Sequence, residues 1–265
     1  MLVTGASRGI GAAAAVRFAA EGADVAIVAR TLDQHDHLSG SLRETADRVR
    51  AHGGAVCVIT ADIANDDERS RIVPTAVEAL GGSIDVLINN AAAAMYAPVA
   101  EFPLKRQRLT FDVNVIAPIS LAQAVLPDML ARGEGWIVNV SSATARRTPN
   151  STMGVYGASK AALNRLTQAL ATELAGTGVR ANTIEPRAAV LTEGAAALVG
   201  DTVHADQVET LEEMVEALVA VASCSTDVSG CNLVSLDVLR DWNLVVHELD
   251  GSTRDQPANT HQEHV

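Results

Sequence analysis

Tyr156 and Lys160 stand four positions apart in the run Tyr156-Gly157-Ala158-Ser159-Lys160. In a helix that spacing sends both side chains from one face. An ammonium held near a phenol favours the phenolate, so a tyrosine placed this way exchanges a proton near neutral pH. Taken alone, the pair reads more readily as an ordinary surface contact. Three further motifs give it a context.

The chain opens with Val3-Thr4-Gly5-Ala6-Ser7-Arg8-Gly9-Ile10-Gly11, a short apolar strand that runs into a glycine-rich turn and then into the helical stretch Ala12 to Ala20. Gly5 suits a tight bend, Gly9 a close approach of the backbone to a pyrophosphate, and Gly11 close packing of helix on strand. The helix N-terminus then offers unpaired amides to phosphate. A second strand over Asp24 to Ala29 completes the strand-helix-strand unit that a dinucleotide site requires.

Together with Asn89-Asn90-Ala91-Ala92 and Val138-Asn139-Val140-Ser141-Ser142, these motifs resemble the short-chain dehydrogenase/reductase family over roughly residues 1 to 190. The resemblance implies a single Rossmann-type domain and hydride transfer between a nicotinamide cofactor and a ketone or secondary alcohol, coupled to proton transfer by a tyrosine. Carried onto this chain, it makes Tyr156 the general acid or base. Lys160 holds the nicotinamide ribose and lowers the phenol pKa, Ser142 hydrogen-bonds the substrate oxygen, and Asn114 holds a water in the proton relay. Cofactor contacts fall on Gly5, Ser7, Arg8, Gly9 and Ile10, on Asp62 and Ile63 beside the adenine, on Asn89 and Ala91, and on Pro186, Ala189 and Val190 at the nicotinamide amide.

Three residues depart from the family pattern. Ser142 precedes Tyr156 by one residue more than is usual, which leaves Ser141 as a rival. Ala92 replaces a glycine, and Arg187 stands where Pro-Gly is usual, so the backbone near Ala189 and Val190 is expected to run differently. The reacting groups themselves are all present. Their loss would have pointed to the alternative, a dinucleotide-binding sensor or scaffold.

Charge selects the cofactor. A ribose 2′-hydroxyl is usually held by a carboxylate after the second strand, and a 2′-phosphate is repelled by one. Here Arg30-Thr31 follows that strand, no acid appears before Asp33, and Arg8 adds a cation in the glycine turn. Two arginines on one phosphate predict NADP(H) over NAD(H).

Short apolar runs alternating with helical patterns predict a parallel sheet. Its strands are Leu2-Thr4, Asp24-Ala29, Ala55-Thr60, Val86-Asn89, Gly135-Val140, Arg180-Ile184 and Asn232-Leu236. The fold class is therefore α/β, a doubly wound sheet of about seven strands with helices on both faces, over residues 1–250. Only Met1 to Val3 precede the glycine turn, a clipped first strand. Residues 188–218 are expected to form a substrate lid and 251–265 a loose polar tail. Ala93, Ala94, Met95, Tyr96, Met153 and Val155 would line an apolar pocket, with Arg146 and Arg147 as a solvated pair or an anion site.

A net charge of -12 repels nucleic acid. No uninterrupted apolar run reaches the ~18 residues that span a bilayer, and the first residues enter a strand rather than a leader, so a cytoplasmic protein is expected. Cys57, Cys224 and Cys231 do not form a disulfide framework. His35 and His37 lack further ligands, so no metal site is predicted. Leu121, Val125 and Leu130 on one long helix, with Leu163, Leu166 and Leu170 on another, predict a homodimer or homotetramer.

Overall fold

The structure, a computed structural model, describes residues 1–33, 39–147, 152–190, 192 and 208–254. Its strands are β1 (Leu2–Thr4), β2 (Val25–Ala29), β3 (Val56–Thr60), β4 (Val86–Asn89), β5 (Gly135–Val140), β6 (Val179–Glu185), the short β7 (Ala189–Val190) and β8 (Val208–Glu209), and β9 (Asn232–Val234). Seven of them form one parallel sheet in the order β3-β2-β1-β4-β5-β6-β9. The order reverses between β1 and β4. At such a reversal the crossovers leave in opposite directions and open a crevice outside the carboxyl ends of the strands.

Residues along each strand alternate between two apolar layers, as the pleat requires. Val3, Ile27, Ile88 and Val138 face the layer of α1 (Gly9–Ala20), α2 (Leu42–Arg50), α8 (Leu211–Val221) and α9 (Ser235–Asp241). Leu2, Ala26, Leu87 and Ile137 face the layer of α4 (Ile72–Leu80), α6 (Ala117–Arg132) and the C-terminal end of α7 (Gly154–Glu173). Burial on both faces explains why these strands read as unbroken apolar runs.

α3 (Asp66–Ser70) and α5 (Leu104–Phe111) complete the helices named here, and α5 runs into α6 through a π-turn at Asp112–Ile116. The combined helix Leu104–Arg132 is long and apolar enough to cross a membrane by length and composition, but half of its most apolar stretch is buried within the protein. It is a core helix of the sheet.

Several boundaries shift for local reasons. Asp24 stays outside β2 and accepts the Ala55 N–H through Oδ1 at 2.7 Å. β9 stops at Val234 because Ser235-Leu236 open α9. The expected lid at 188–218 is not one unit. Ala189–Val190 pairs in parallel with Val208–Glu209, and Met214, Val215, Ala217 and Leu218 are fully buried in α8, so that end of the segment belongs to the core. Its middle, 191 and 193–207, lies outside the described residues, as do His35 and His37. The expected loose tail begins too early: His247 bridges Thr253, and Glu248 N–H donates to Ser252 at 2.9 Å. Residues 255–265 lie outside the described residues.

Candidate active site

β1 is short, and the Thr4 hydroxyl extends its reach. Thr4 Oγ1 accepts the N–H groups of Asn90 and Ala91, each at 3.1 Å. The Asn90 side chain returns two bonds, from Nδ2 to the carbonyls of Thr4 (2.9 Å) and Gly5 (3.2 Å). These contacts lock the glycine turn to the end of β4 across the crevice. Gly5 has φ +68°, and a Cβ there would lie 2.8 Å from Ala91 Cα. A Cβ on Gly11 would collide with the Gly5 carbonyl and the Asn90 amide, which is the close packing expected of that glycine. Gly9 has φ +54°, and the nearest obstacle to a side chain there is Thr192.

Arg8 caps α1 in an extended conformation with no side-chain cap bond, so the first amides of the helix keep no side-chain acceptor. Its guanidinium is fixed instead on the β2–α2 loop, Nε to Ser39 O at 2.9 Å and Nη2 to Gly40 O at 3.0 Å. Arg30 is exposed at the end of β2. Asp33 pairs with Arg43 at 2.7 Å. Ser7 and Ile63 are buried, and Asp62 Oδ1 accepts the Ala64 N–H at 3.0 Å in a local turn. An uncapped helix start, positive-φ glycines and a fixed arginine fit the phosphates of a dinucleotide.

One cavity of about 680 Å³ joins this turn to the reacting groups. Its walls include Ile10 and Asn90, Ser142 and Thr144, Tyr96, Tyr156 and Lys160, and Pro186, Ala189, Val190 and Thr192. Gly157 makes the junction possible, because a Cβ there would lie 2.8 Å from the Thr144 carbonyl. Without one, α7 lies against the serine turn and brings Tyr156 beside Ser142.

The two serines separate cleanly. Ser141 is buried and donates its hydroxyl to Asn164 Oδ1 at 2.6 Å, so it is committed to α7. Ser142 Oγ accepts the Thr144 hydroxyl at 2.9 Å and hydrogen-bonds the Tyr156 phenol. Of the two, Ser142 keeps its hydroxyl on the cavity side, beside Tyr156.

Lys160 is 2% exposed and donates from Nζ to Val140 O at 2.7 Å. Burial lowers its pKa to about 8. The Tyr156 ring centre is 6.0 Å from Nζ, and the Tyr96 ring meets it edge-on at 5.9 Å. Burial first, then Tyr96, raises the phenol above its ordinary value, and the Ser142 bond pulls it back. The net shift is upward because desolvation outweighs the Ser142 bond, while Nζ is turned to the strand carbonyl.

Two asparagines of the motifs are committed to internal hydrogen bonds. Asn89 is buried, and its Nδ2 bonds Asn139 Oδ1 (2.8 Å) and Pro118 O (3.3 Å), while Asn139 continues to Thr167 at 2.8 Å. It braces the sheet interior; Asn90 and Ala92 line the cavity instead. As the last residue of β4, Asn89 keeps the strand's alternation and points into a core layer. Asn114 is wholly buried within the π-turn, with Oδ1 on Ala93 N–H (2.8 Å) and Nδ2 on Ala93 O (3.1 Å) and Ser159 Oγ (3.0 Å). Its side chain ties the Ala93 main chain to Ser159, next to Lys160 in sequence. Ala93 is consequently part of that brace. Of the other expected pocket residues, Tyr96 and Met153 line the cavity, whereas Ala94, Met95 and Val155 do not.

The Arg187 departure has its own compensation. Its N–H donates to buried Glu209 Oε1 at 2.6 Å, its guanidinium pairs with Asp237, and its carbonyl accepts from Arg147. Ser235 donates to the other Glu209 oxygen, and burial raises the Glu209 pKa. Arg146, expected as a solvated residue, instead pairs with buried Glu185. Thr4, Asn90, Asn164, Thr192 and Glu209 are the working residues that motif reading missed. Among the described residues, no group of three His, Cys, Asp or Glu side chains could hold a metal.

The chain belongs to the short-chain dehydrogenase family, whose sequence model matches residues 1–203. The ketoacyl reductase HetN of a Nostoc species is 37% identical over 186 residues, 70% of this chain and 62% of that protein. The fatty acyl-CoA reductase Rv0547c of Mycobacterium tuberculosis is 36% identical over 187 residues, 69% of this chain and 60% of the relative. The chain thus spans only about three-fifths of the length of these curated relatives. Among solved structures, a short chain dehydrogenase from Mycobacterium thermoresistibile superposes with a TM-score of 0.82 at 28% identity, covering 98% of this chain and 97% of that one. One from Burkholderia cenocepacia, solved in complex with NADP, gives 0.75 at 34% identity, with 88% and 94% covered.

Proposed function

We propose that this protein is an NADP(H)-dependent oxidoreductase of ketones and secondary alcohols. The observation that carries this reading is one cavity lined at once by the start of α1, by Ser142, Tyr156 and Lys160, and by the Pro186–Val190 segment. When bound, the nicotinamide supplies or accepts the hydride. In reduction, Tyr156 donates its hydroxyl proton to the carbonyl oxygen, and Ser142 stabilises the charge that develops there. With the phenol held above its ordinary value, it carries the proton that reduction requires at neutral pH. Lys160, lowered to about 8, holds or releases a proton in the working range. Arg8 and Arg30 would meet the 2′-phosphate, in keeping with the NADP complex of the Burkholderia structure.

We further propose a homodimer or homotetramer through the outer faces of α6 and α7. Leu121, Val125 and Leu163, expected at that contact, are buried in the core; Leu130, Leu166 at 40% exposure and Ile116 at 50% remain available to a second copy. The function is tested by Tyr156→Phe, assayed with NADPH against a panel of ketones. The variant should bind NADPH as wild type does and turn over at less than about a hundredth of its rate, the usual scale for losing a general acid. Retention of higher activity refutes the assignment.

A further inference from the structure

Among the described residues, no carboxylate lines the reaction cavity, although the chain carries a net charge of -12. The cavity's cations are Lys160 and Arg147. Lys160 is buried and turned to the Val140 carbonyl, so Arg147 is the cation left to the open part of the cavity.

Its neighbours in sequence and space show why Arg147 is different. Arg146 spends its charge on Glu185, which is 2% exposed, and Arg187 spends its charge on Asp237. The Glu185 carboxylate also feels the Arg147 charge, but its ion pair is with Arg146. Arg147 has no carboxylate at ion-pair distance among the described residues, and its Nη2 donates to the Arg187 main-chain carbonyl. That carbonyl is itself immobilised, since the Arg187 N–H sits on buried Glu209 at 2.6 Å. One nitrogen of the guanidinium is thereby pinned between the serine turn and the Pro186–Ala188 wall. Among the described residues, no hydrogen bond occupies the rest of its planar donor fork, which faces the cavity. An arginine fixed before the ligand arrives loses less freedom on binding an anion.

We propose that Arg147 is the anion-recognition residue of the substrate site, and that the substrate is a carbonyl compound bearing a carboxylate or a phosphate. This rests on the oxidoreductase reading only for the reacting carbonyl. The binding claim stands separately and is tested on the NADPH-loaded protein by calorimetry and by turnover. Two matched pairs serve as probes: acetoacetate against its methyl ester, and acetoacetyl-coenzyme A against the N-acetylcysteamine thioester, which lacks phosphate.

Wild type should prefer the charged member of at least one pair, by roughly tenfold to a hundredfold, as a charge-assisted hydrogen bond predicts. The pair that shows it names the anion. In Arg147→Met that preference should collapse, and Arg147→Lys, which keeps the charge without the fork, should retain part of it. Raised salt should narrow the wild-type preference. No preference in either pair, or a preference that survives in Arg147→Met, overturns the proposal. So does a loss explained entirely by weaker NADPH binding, which would make Arg147 a clamp on the 186–188 wall. Charged probes that bind through Arg147 without turning over would refute the oxidoreductase reading alone.

Discussion

Replacing Lys160 by Met separates stability from function in a way that can be worked out in advance. The ammonium is 2% exposed, and burial lowers its pKa from 10.5 to about 8. At ~1.4 kcal/mol for each tenfold change in proton affinity, the folded state bears a charge penalty of about 3 kcal/mol. Methionine removes the penalty with a side chain of similar length. It also leaves the Val140 carbonyl without its donor at 2.7 Å, which offsets about 1–3 kcal/mol. The net gain at neutral pH is then up to about 2 kcal/mol, a few degrees in Tm for a chain of this size, while turnover is lost. The pH dependence is the sharper signature. Below about pH 8 both folded and unfolded states hold the Lys160 proton, so the penalty is fully present. Between about 8 and 10.5 the unfolded state binds more protons than the folded state, so wild-type stability rises with pH relative to the variant. Urea unfolding of both proteins without cofactor, from about pH 7 to 10.5, should show their difference moving by about 3 kcal/mol in favour of wild type. A difference that stays constant across that window refutes the burial of a charged Lys160, whatever its sign at pH 7.

Three further outcomes follow from the same geometry. Ser142→Ala should lower kcat by about a hundredfold, whereas Ser141→Ala should chiefly lower Tm, because it strands the buried Asn164 acceptor at the cost of about 1–3 kcal/mol; steady-state kinetics and thermal unfolding of the two variants would expose the reverse order. Arg30→Asp should turn the cofactor preference from NADPH toward NADH, read by fluorescence titration, since it replaces a cation with a repelling carboxylate; equal affinity of the unmodified protein for both cofactors would defeat the claim. Light scattering at micromolar concentration should give a multiple of 27.6 kDa, reduced by Ile116→Glu with Leu166→Glu; a monomeric mass for the unmodified chain excludes the proposed contact.

What the sequence disclosed and what it concealed divide along one physical line. Apolar runs buried on two faces, such as Val86–Asn89 and Gly135–Val140, are legible because each residue's environment repeats along the strand, and both ranges agree with the structure. The glycine turn is legible because its positive-φ residues admit few alternatives. Roles that depend on where a side chain turns at the end of an element are not fixed by residue type. Asn89 and Asn90 are identical and adjacent, yet one bonds Asn139 beneath the sheet and the other ties the glycine turn. Ser141 and Ser142 divide in the same way, one donating its hydroxyl to Asn164 and the other accepting from Thr144 beside Tyr156. A one-residue step off a strand end reverses the facing, so motif spacing locates the site to within a residue and no closer. Contacts between distant segments are more opaque still. Nothing in Pro186-Arg187 announces that Glu209, 22 positions later, will hold its amide, because that pairing exists only once β8 lies beside β7. The departures from family pattern are therefore the productive places to look. At Arg187 the replacement of glycine is accompanied by a buried carboxylate, a second salt bridge and an anchored Arg147, so a local exception becomes a wall of the substrate site.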